Sequence, residues 1–319
     1  MSKKLKVTLF SIIGVIAVVM GIWAGATTYF YNVAVMPSHK TFLSADKVSK
    51  KSPLYHQNKW YKKNKKHFKF WKMKSATDNI QLYANYIPAA HKTNKNIVIA
   101  HGFMGDKDKM ATYVYMFHKL GYNVLSPDDR GQGQSGGNYI GYGWPDRLDY
   151  IKWMRKLIKH NGQDSQIVMF GVSMGGATAM MVSGEKNVPS QVKGYIEDCG
   201  YTSAMDELNY EAGNLYHMPA FPKWPLLPSL NAMTKSLAHY DLNDASALKQ
   251  VAKNHRPMLF IHGSKDTFVP TKMVYPLYRA SRGPKKLVIV KGAKHASSYK
   301  HNPEKYEKTV SAFIKQYMK

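Results

Sequence analysis

Hydrophobic and polar positions divide the chain into three unlike stretches. From Val7 to Met36 no side chain is charged, and the apolar density peaks between Val7 and Trp23, just after Lys3, Lys4 and Lys6. Between Lys47 and Lys74 the character reverses, with eleven lysines, no acid, and Tyr55, Trp60, Tyr61, Phe68, Phe70 and Trp71 set among them. From Ile80 onward, short apolar runs alternate with longer amphipathic ones. The short runs predict strands over 80–87, 96–100, 122–126, 166–170, 192–198, 258–262 and 286–290, and the partial alternation over 67–74 predicts an edge strand. The longer runs predict helices over 107–120, 145–160 and 303–318; in the second, Leu148, Ile151, Trp153, Met154 and Leu157 recur at helical spacing. Strands that alternate with helices imply a mostly parallel sheet covered on both faces, an α/β architecture.

One segment breaks the rhythm. Residues 201–256 contain no clear strand and carry a proline-rich apolar patch, Met218 to Pro228. An insert of this length is more often functional than filler. It is expected to form a small helical cap over a pocket, with an excursion packed on the sheet as the alternative.

The first stretch is long enough to cross a hydrocarbon core of about 30 Å. Ala24-Gly25-Ala26 would serve as a signal-peptide cleavage site, whereas Tyr29, Phe30 and Tyr31 would serve as the interfacial girdle of a retained anchor. The apolar core exceeds the roughly 7–15 residues of a signal peptide, which favours the anchor. A very short basic N-terminus stays inside, so the remainder of the chain is expected outside the cytoplasm. The expected organisation is an anchor over 1–36, a lysine-rich linker over 37–66, and a folded domain over 67–319.

Composition adds limits. The net charge of +26 implies attraction to anionic surfaces. The Lys47–Lys74 stretch can be read as a surface for anionic lipid or an anionic wall polymer, or as a solvated linker leading into a strand. No nucleic-acid module accompanies the charge, so nucleic acid is not expected as a partner. The single cysteine, Cys199, excludes an intramolecular disulfide and a cysteine-rich metal site.

The chemistry is concentrated at three places. Gly171-Val172-Ser173-Met174-Gly175 lies between a predicted strand and a small-residue segment suited to a helix. A G-x-S-x-G in that setting places a serine on a strained turn, with a helix N-terminus aimed at the reaction centre. A serine hydroxyl needs a base to take its proton, and the base needs an orienting acid. Asp266 and His295 each follow a buried strand, at the sheet edge where ligands bind, and complete the chain order Ser, Asp, His. Asp198, which ends the preceding strand, is the rival for the acid. The developing oxyanion requires donors; the backbone N–H groups of Met174 and of Phe103, in the glycine turn His101–Gly105, fit. Gly131 to Gly136 matches G-x-G-x-x-G, but no helix opens there and Asp149 lies within a predicted helix, so no dinucleotide cofactor is expected. Neither a metal nor an organic cofactor is called for.

These residues resemble the α/β-hydrolase family, in particular membrane-anchored bacterial hydrolases of the monoglyceride-lipase and serine-aminopeptidase-like branch. The likeness rests on His101–Gly105, Pro127–Gly136, Gly171–Gly176, Ile261–Asp266 and Gly292–His295, and spans about 80–319. It implies an eight-stranded sheet, a cap after the sixth strand, Ser173, Asp266 and His295 as a triad, Phe103 and Met174 as oxyanion donors, and Asp128-Asp129-Arg130 as a structural brace. The lysine-rich N-terminal third departs from what the fold requires.

The function expected is a serine esterase acting on acyl or aryl esters through an acyl-enzyme. An amide or peptide substrate is the alternative, for which Glu207 and Glu211 in the cap would hold a free amine if they are not simply solvated helix charges. A surface protein that binds anionic polymer without catalysis is a third possibility, one that would leave Ser173 dispensable.

Overall fold

The computed structural model describes residues 2–37 and 49–318; Lys40 and Lys47 of the lysine-rich stretch lie outside the described residues. The chain runs α1 (Lys3–Ala34), α2 (Tyr55–Asn64), β1 (Lys69–Lys74), β2 (Gln81–Ile87), β3 (Lys95–Ala100), α3 (Ala111–Lys119), β4 (Asn123–Pro127), α4 (Asp146–Asn161), β5 (Gln166–Val172) and α5 (Met174–Ser183). It continues through β6 (Val192–Asp198), α6 (Ala204–Tyr216), α7 (Ala220–Ala238), α8 (Ala247–Val251), β7 (Met258–Gly263), α9 (Val274–Ala280), β8 (Lys285–Val290), α10 (Ser298–His301) and α11 (Pro303–Tyr317).

The eight strands form one sheet in the order β1-β2-β4-β3-β5-β6-β7-β8. It is mixed: β1 and β2 pair antiparallel, as do β2 and β4, and every later pairing is parallel. The central strands are buried along nearly their whole length, which accounts for the unbroken apolar runs of β3, β5 and β7. Two apolar layers cover the faces. One gathers α4, α5 and the cap side, with Trp153, Tyr150 and Met180; the other gathers α3 and α11, with Phe117, Phe170 and Phe313.

Three boundaries differ from the sequence pattern. The helix expected from residue 107 starts at Ala111, because the backbone N–H of Lys107 is spent on Asp128 (2.6 Å) and Asp106 closes a turn on the N–H groups of Asp108 and Lys109 (both 2.8 Å). The linker expected over 37–66 contains a helix, α2, which buries Tyr61 and Leu54 beside α3; the Tyr61 hydroxyl donates to Asp108 (2.7 Å). In β1, Phe70 and Trp71 stack on Tyr83 and Tyr86 (5.1 and 4.5 Å), so these aromatics serve the sheet. The insert after β6 is helical as expected, but only α6 and α7 rise as a cap, while α8 returns to the body with Ala247 and Val251 in the core beside α5.

The Asp128-Asp129-Arg130 turn after β4 is a buried charge cluster. Arg130 is 0% exposed and donates to both carboxylate oxygens of Asp149 (2.6 and 3.1 Å) and to Asp78 (2.7 Å). Asp128 receives the Lys107 ammonium and the Gln134 N–H (2.5 and 2.8 Å), and a Cβ on Gly133, whose φ is +57°, would land on its carboxylate. Burial pushes Asp129 and Asp146 up to about 7, so the cluster is balanced only while Arg130 is present. Arg130→Met is therefore expected to cost about 3–5 kcal/mol, because it strands buried carboxylates; urea unfolding of the detergent-solubilised chain would read this.

Candidate active site

β5 is the centre of the sheet, and the chain turns sharply at its end. Ser173 sits at φ 58°, ψ −120°, a strained conformation for a residue with a Cβ, and its N–H is tied to the Asp198 carbonyl (2.8 Å). The turn closes only because its flanks lack side chains: a Cβ on Gly171 would meet the backbone of Gly175, and one on Gly175 would meet the Ala100 carbonyl. α5 begins immediately at Met174.

Asp266 follows β7 and His295 follows β8, and the structure brings both to Ser173. The Ser173 hydroxyl donates to His295 Nε2 (2.9 Å), and His295 Nδ1–H donates to Asp266 Oδ2 (2.8 Å). Asp266 Oδ1 accepts the N–H groups of Phe268 and Val269 (both 3.0 Å), which fixes the carboxylate's orientation. Burial works to raise the Asp266 pKa, but the hydrogen bonds from His262 and His295 outweigh it and hold the group below the usual carboxylate range. Ser173 is 8% exposed, while the His295 side chain is 22% exposed, so the relay is open at one side only. The rival acid, Asp198, points elsewhere: its two oxygens accept from Ser298 and Tyr306 (3.0 and 2.9 Å).

The glycine turn after β3 lies beside the serine. A Cβ on Gly102 would stand 3.4 Å from Ser173 Cβ, so the backbone at Gly102 passes close beside Ser173. Met174 is the first residue of α5 and has no carbonyl within the helix to receive its N–H. His101 is buried and donates from Nδ1 to the Gly102 carbonyl (2.8 Å), while Nε2 accepts the Asp129 N–H (3.0 Å). It thereby clamps this turn to the Arg130 cluster, a role that nothing in the spacing of the motif shows.

A family model described as serine aminopeptidase, S33, matches residues 91–199. The uncharacterized protein YqkD of Bacillus subtilis (strain 168) is 34% identical over 229 residues, which cover 72% of this chain and 74% of YqkD. The chain belongs to the α/β-hydrolase family. Among solved structures, the esterase Pf2001 of Pyrococcus furiosus superposes with a TM-score of 0.63 at 20% identity, over 80% of this chain and 94% of that one. The acylaminoacyl peptidase of Pyrococcus horikoshii superposes with a TM-score of 0.58 at 17% identity, over 79% of this chain and 42% of that one. At these identities the two likenesses are to the fold.

In this α/β-hydrolase, Ser173 opens into a cavity of ≈ 820 Å³, its open mouth included. Phe103, Tyr142 and Tyr201 line it, together with Leu226, Leu227 and Leu230 of α7. Two further walls come from α1 and α6. Phe30, Val33 and Ala34 of α1 line one side. Glu207 and Glu211 of α6 line another, and they are buried rather than solvated. Among the described residues, neither carboxylate oxygen of Glu207 has a hydrogen-bond partner, and Glu211 accepts from the Asn214 amide (3.1 Å). Burial, then the neighbouring charges of Glu211 and Asp266, push Glu207 well above the usual range; burial, and to a lesser degree Asp266, push Glu211 up to about 7. Their i, i+4 spacing beside Leu208, Ala212 and Leu215 was the available signal, because an apolar face that contains acids is the face of a pocket.

Proposed function

We propose that the chain is a membrane-anchored serine hydrolase that cleaves carboxylic esters with an apolar acyl or aryl group. The observation that carries this reading is the unbroken relay Asp266–His295–Ser173, whose serine lines an apolar cavity. In the first half-reaction, Ser173 Oγ attacks the acyl carbon as His295 Nε2 takes its proton, and Asp266 stabilises the imidazolium. The oxyanion is held by the N–H groups of Phe103 and Met174. The C–O bond breaks and His295 returns the proton to the leaving alcohol. Water then repeats the sequence on the acyl-enzyme, releasing the acid and restoring Ser173. A neighbour in fold named an esterase supports the ester reading. A fluorophosphonate should label the folded protein at Ser173, and a panel of p-nitrophenyl esters of graded chain length, run beside aminoacyl amides, tests the substrate class. An unlabelled protein, or one that turns over amides only, overturns the ester reading.

The buried acids favour a second reading, an amide substrate whose free amine is held by Glu207 and Glu211. The pH dependence of KM separates the two. Glu211 is neutral below about 7 and charged above it. An ionised carboxylate in the pocket repels an apolar acyl group and attracts an ammonium. KM for an uncharged ester should therefore rise as pH climbs from 6 to 8.5, whereas KM for an amine substrate should fall. Glu211→Gln should flatten either trend, by several-fold at the alkaline end. Steady-state KM, separated from kcat, is the readout, because the carboxylate acts on binding of the substrate group it faces.

The anchor is proposed to be retained, with the catalytic domain outside the cytoplasm. α1 is a single helix with a strongly apolar window near the N-terminus. Its last third is docked: Thr27, Tyr31, Ala34 and Val35 are buried in the fold, and Trp23 Nε1 donates to Ser229 (3.0 Å). Cleavage at Ala24–Ala26 would remove the Trp23 contact. Protease shaving of intact cells tests the orientation, and a protein protected from the protease would reverse it.

A further inference from the structure

The exposed and docked parts of α1 divide at one level. Residues 3–22 are exposed throughout. At about 1.5 Å per residue they are about 30 Å long, one hydrocarbon core thick. From Trp23 onward the helix presents one face to the cap, at residues 23, 27, 31 and 34. A hydrocarbon core crossed by residues 3–22 would end at Trp23, and the Trp23–Ser229 hydrogen bond ties α7 to that level of the helix. α7, whose backbone departs from helical geometry at Phe221, exposes Phe221 and Trp224, each 75% accessible, on the stretch that leads to Ser229. Aromatic rings are favoured in the interfacial layer. Two turns further along α1, Phe30, Val33 and Ala34 form a wall of the cavity that contains Ser173. The last of these turns is pinned to the body of the fold: the Ala34 carbonyl accepts from the Tyr142 hydroxyl (2.9 Å), and the Val35 carbonyl accepts the Ile140 N–H (2.7 Å).

We infer that the anchor completes the acyl pocket, that Phe221 and Trp224 seat the cap in the bilayer surface, and that the substrate is a membrane-resident amphiphilic ester whose acyl chain enters between α1 and α7. This rests on the serine-hydrolase reading above and names its substrate class. The bilayer is chosen as the occupant of the exposed aromatic surface because that surface adjoins α1 where the helix leaves the protein. The net charge of +26 suits an anionic headgroup layer.

The test uses the full-length chain in vesicles of phosphatidylcholine and phosphatidylglycerol. Cys199 is buried, so a Phe221→Cys variant accepts an environment-sensitive fluorophore at one exposed thiol. Blue-shifted emission quenched by lipids with a shallow nitroxide is expected. Phe221→Ser/Trp224→Ser should slow cleavage of a vesicle-borne long-chain ester by about tenfold or more while soluble acetyl-ester turnover persists. Val33→Trp, which fills the wall, should lower the ratio of octanoyl to acetyl ester kcat/KM by about tenfold. A fluorophore that nitroxide lipids do not quench overturns the seat, including the case in which emission is blue-shifted because a second copy covers the surface. An unchanged chain-length ratio in Val33→Trp overturns the anchor's place in the pocket. Wild-type protein inert toward every ester would sink the hydrolase reading instead, and the quenching measurement, which needs no turnover, would still decide where the cap sits.

Discussion

Ser173→Ala is expected to lower ester turnover by a factor on the order of 10⁴–10⁶ and to abolish fluorophosphonate labelling, with the fold intact. The hydroxyl is the only group removed, and among the described residues its hydrogen-bond partner is His295. Alanine has the same Cβ as serine, so the φ of +58° is no more strained in the variant, and stability should hold within about 0.5 kcal/mol. What survives should be the contribution of the oxyanion donors and of binding, about 10³–10⁴ over water. Parallel measurement of kcat and unfolding midpoint checks this. Retained turnover with a normal midpoint would show that another nucleophile acts, and an unchanged biological effect would favour the non-catalytic, polymer-binding alternative.

Much of this site can be read from the chain because its geometry depends on residue types with few substitutes. Only glycine fits at 171 and 175, where backbone crosses backbone. Asp266 and His295 follow β7 and β8, and neighbouring parallel strands deliver such positions to one edge; β7 is buried as expected, whereas β8, expected to be buried, is the half-buried last strand of the sheet. The parts that escape patterning do so for physical reasons. A helix such as α1, apolar on every side, has no polar face from which to infer what its last turns touch, although Thr27 and Tyr31 mark the docked side. Half of α2 is lysine and asparagine, and within its bounds the helix buries only Tyr61 and Gln57, so it looks like a solvated linker. Glu207 and Glu211 resemble ordinary helix charges until α7 closes over them. His262, at the end of β7, sits 3.3 Å from Asp266 and donates to the Val269 carbonyl (2.9 Å); the His-Gly-Ser-Lys-Asp spacing contains it but gives it no role.

The second large effect is expected from Asp266→Asn, about 10⁴-fold in kcat, or about 5 kcal/mol of barrier. The reason is a tautomer. Asp266 Oδ1 is committed to two backbone donors, Phe268 and Val269. An asparagine keeps its carbonyl oxygen there and so turns its amide toward His295. Facing a donor, Nδ1 must accept, and the ring proton moves to Nε2, opposite the Ser173 hydroxyl. The base is then occupied before the reaction starts. Asp266→Ala imposes no tautomer, so on this account it loses less than the asparagine variant, even though it removes the group entirely. That ordering distinguishes orientation of the imidazole from simple loss of a charge, which would make alanine and asparagine equal or alanine worse. The rate of fluorophosphonate labelling should fall in parallel, since it reports the same activated hydroxyl. A loss of less than about tenfold in Asp266→Asn would mean that another acid holds His295. Asp198 would then have to release Ser298 and Tyr306 to reach it, and removing those two donors would restore nothing if Asp266 is the partner.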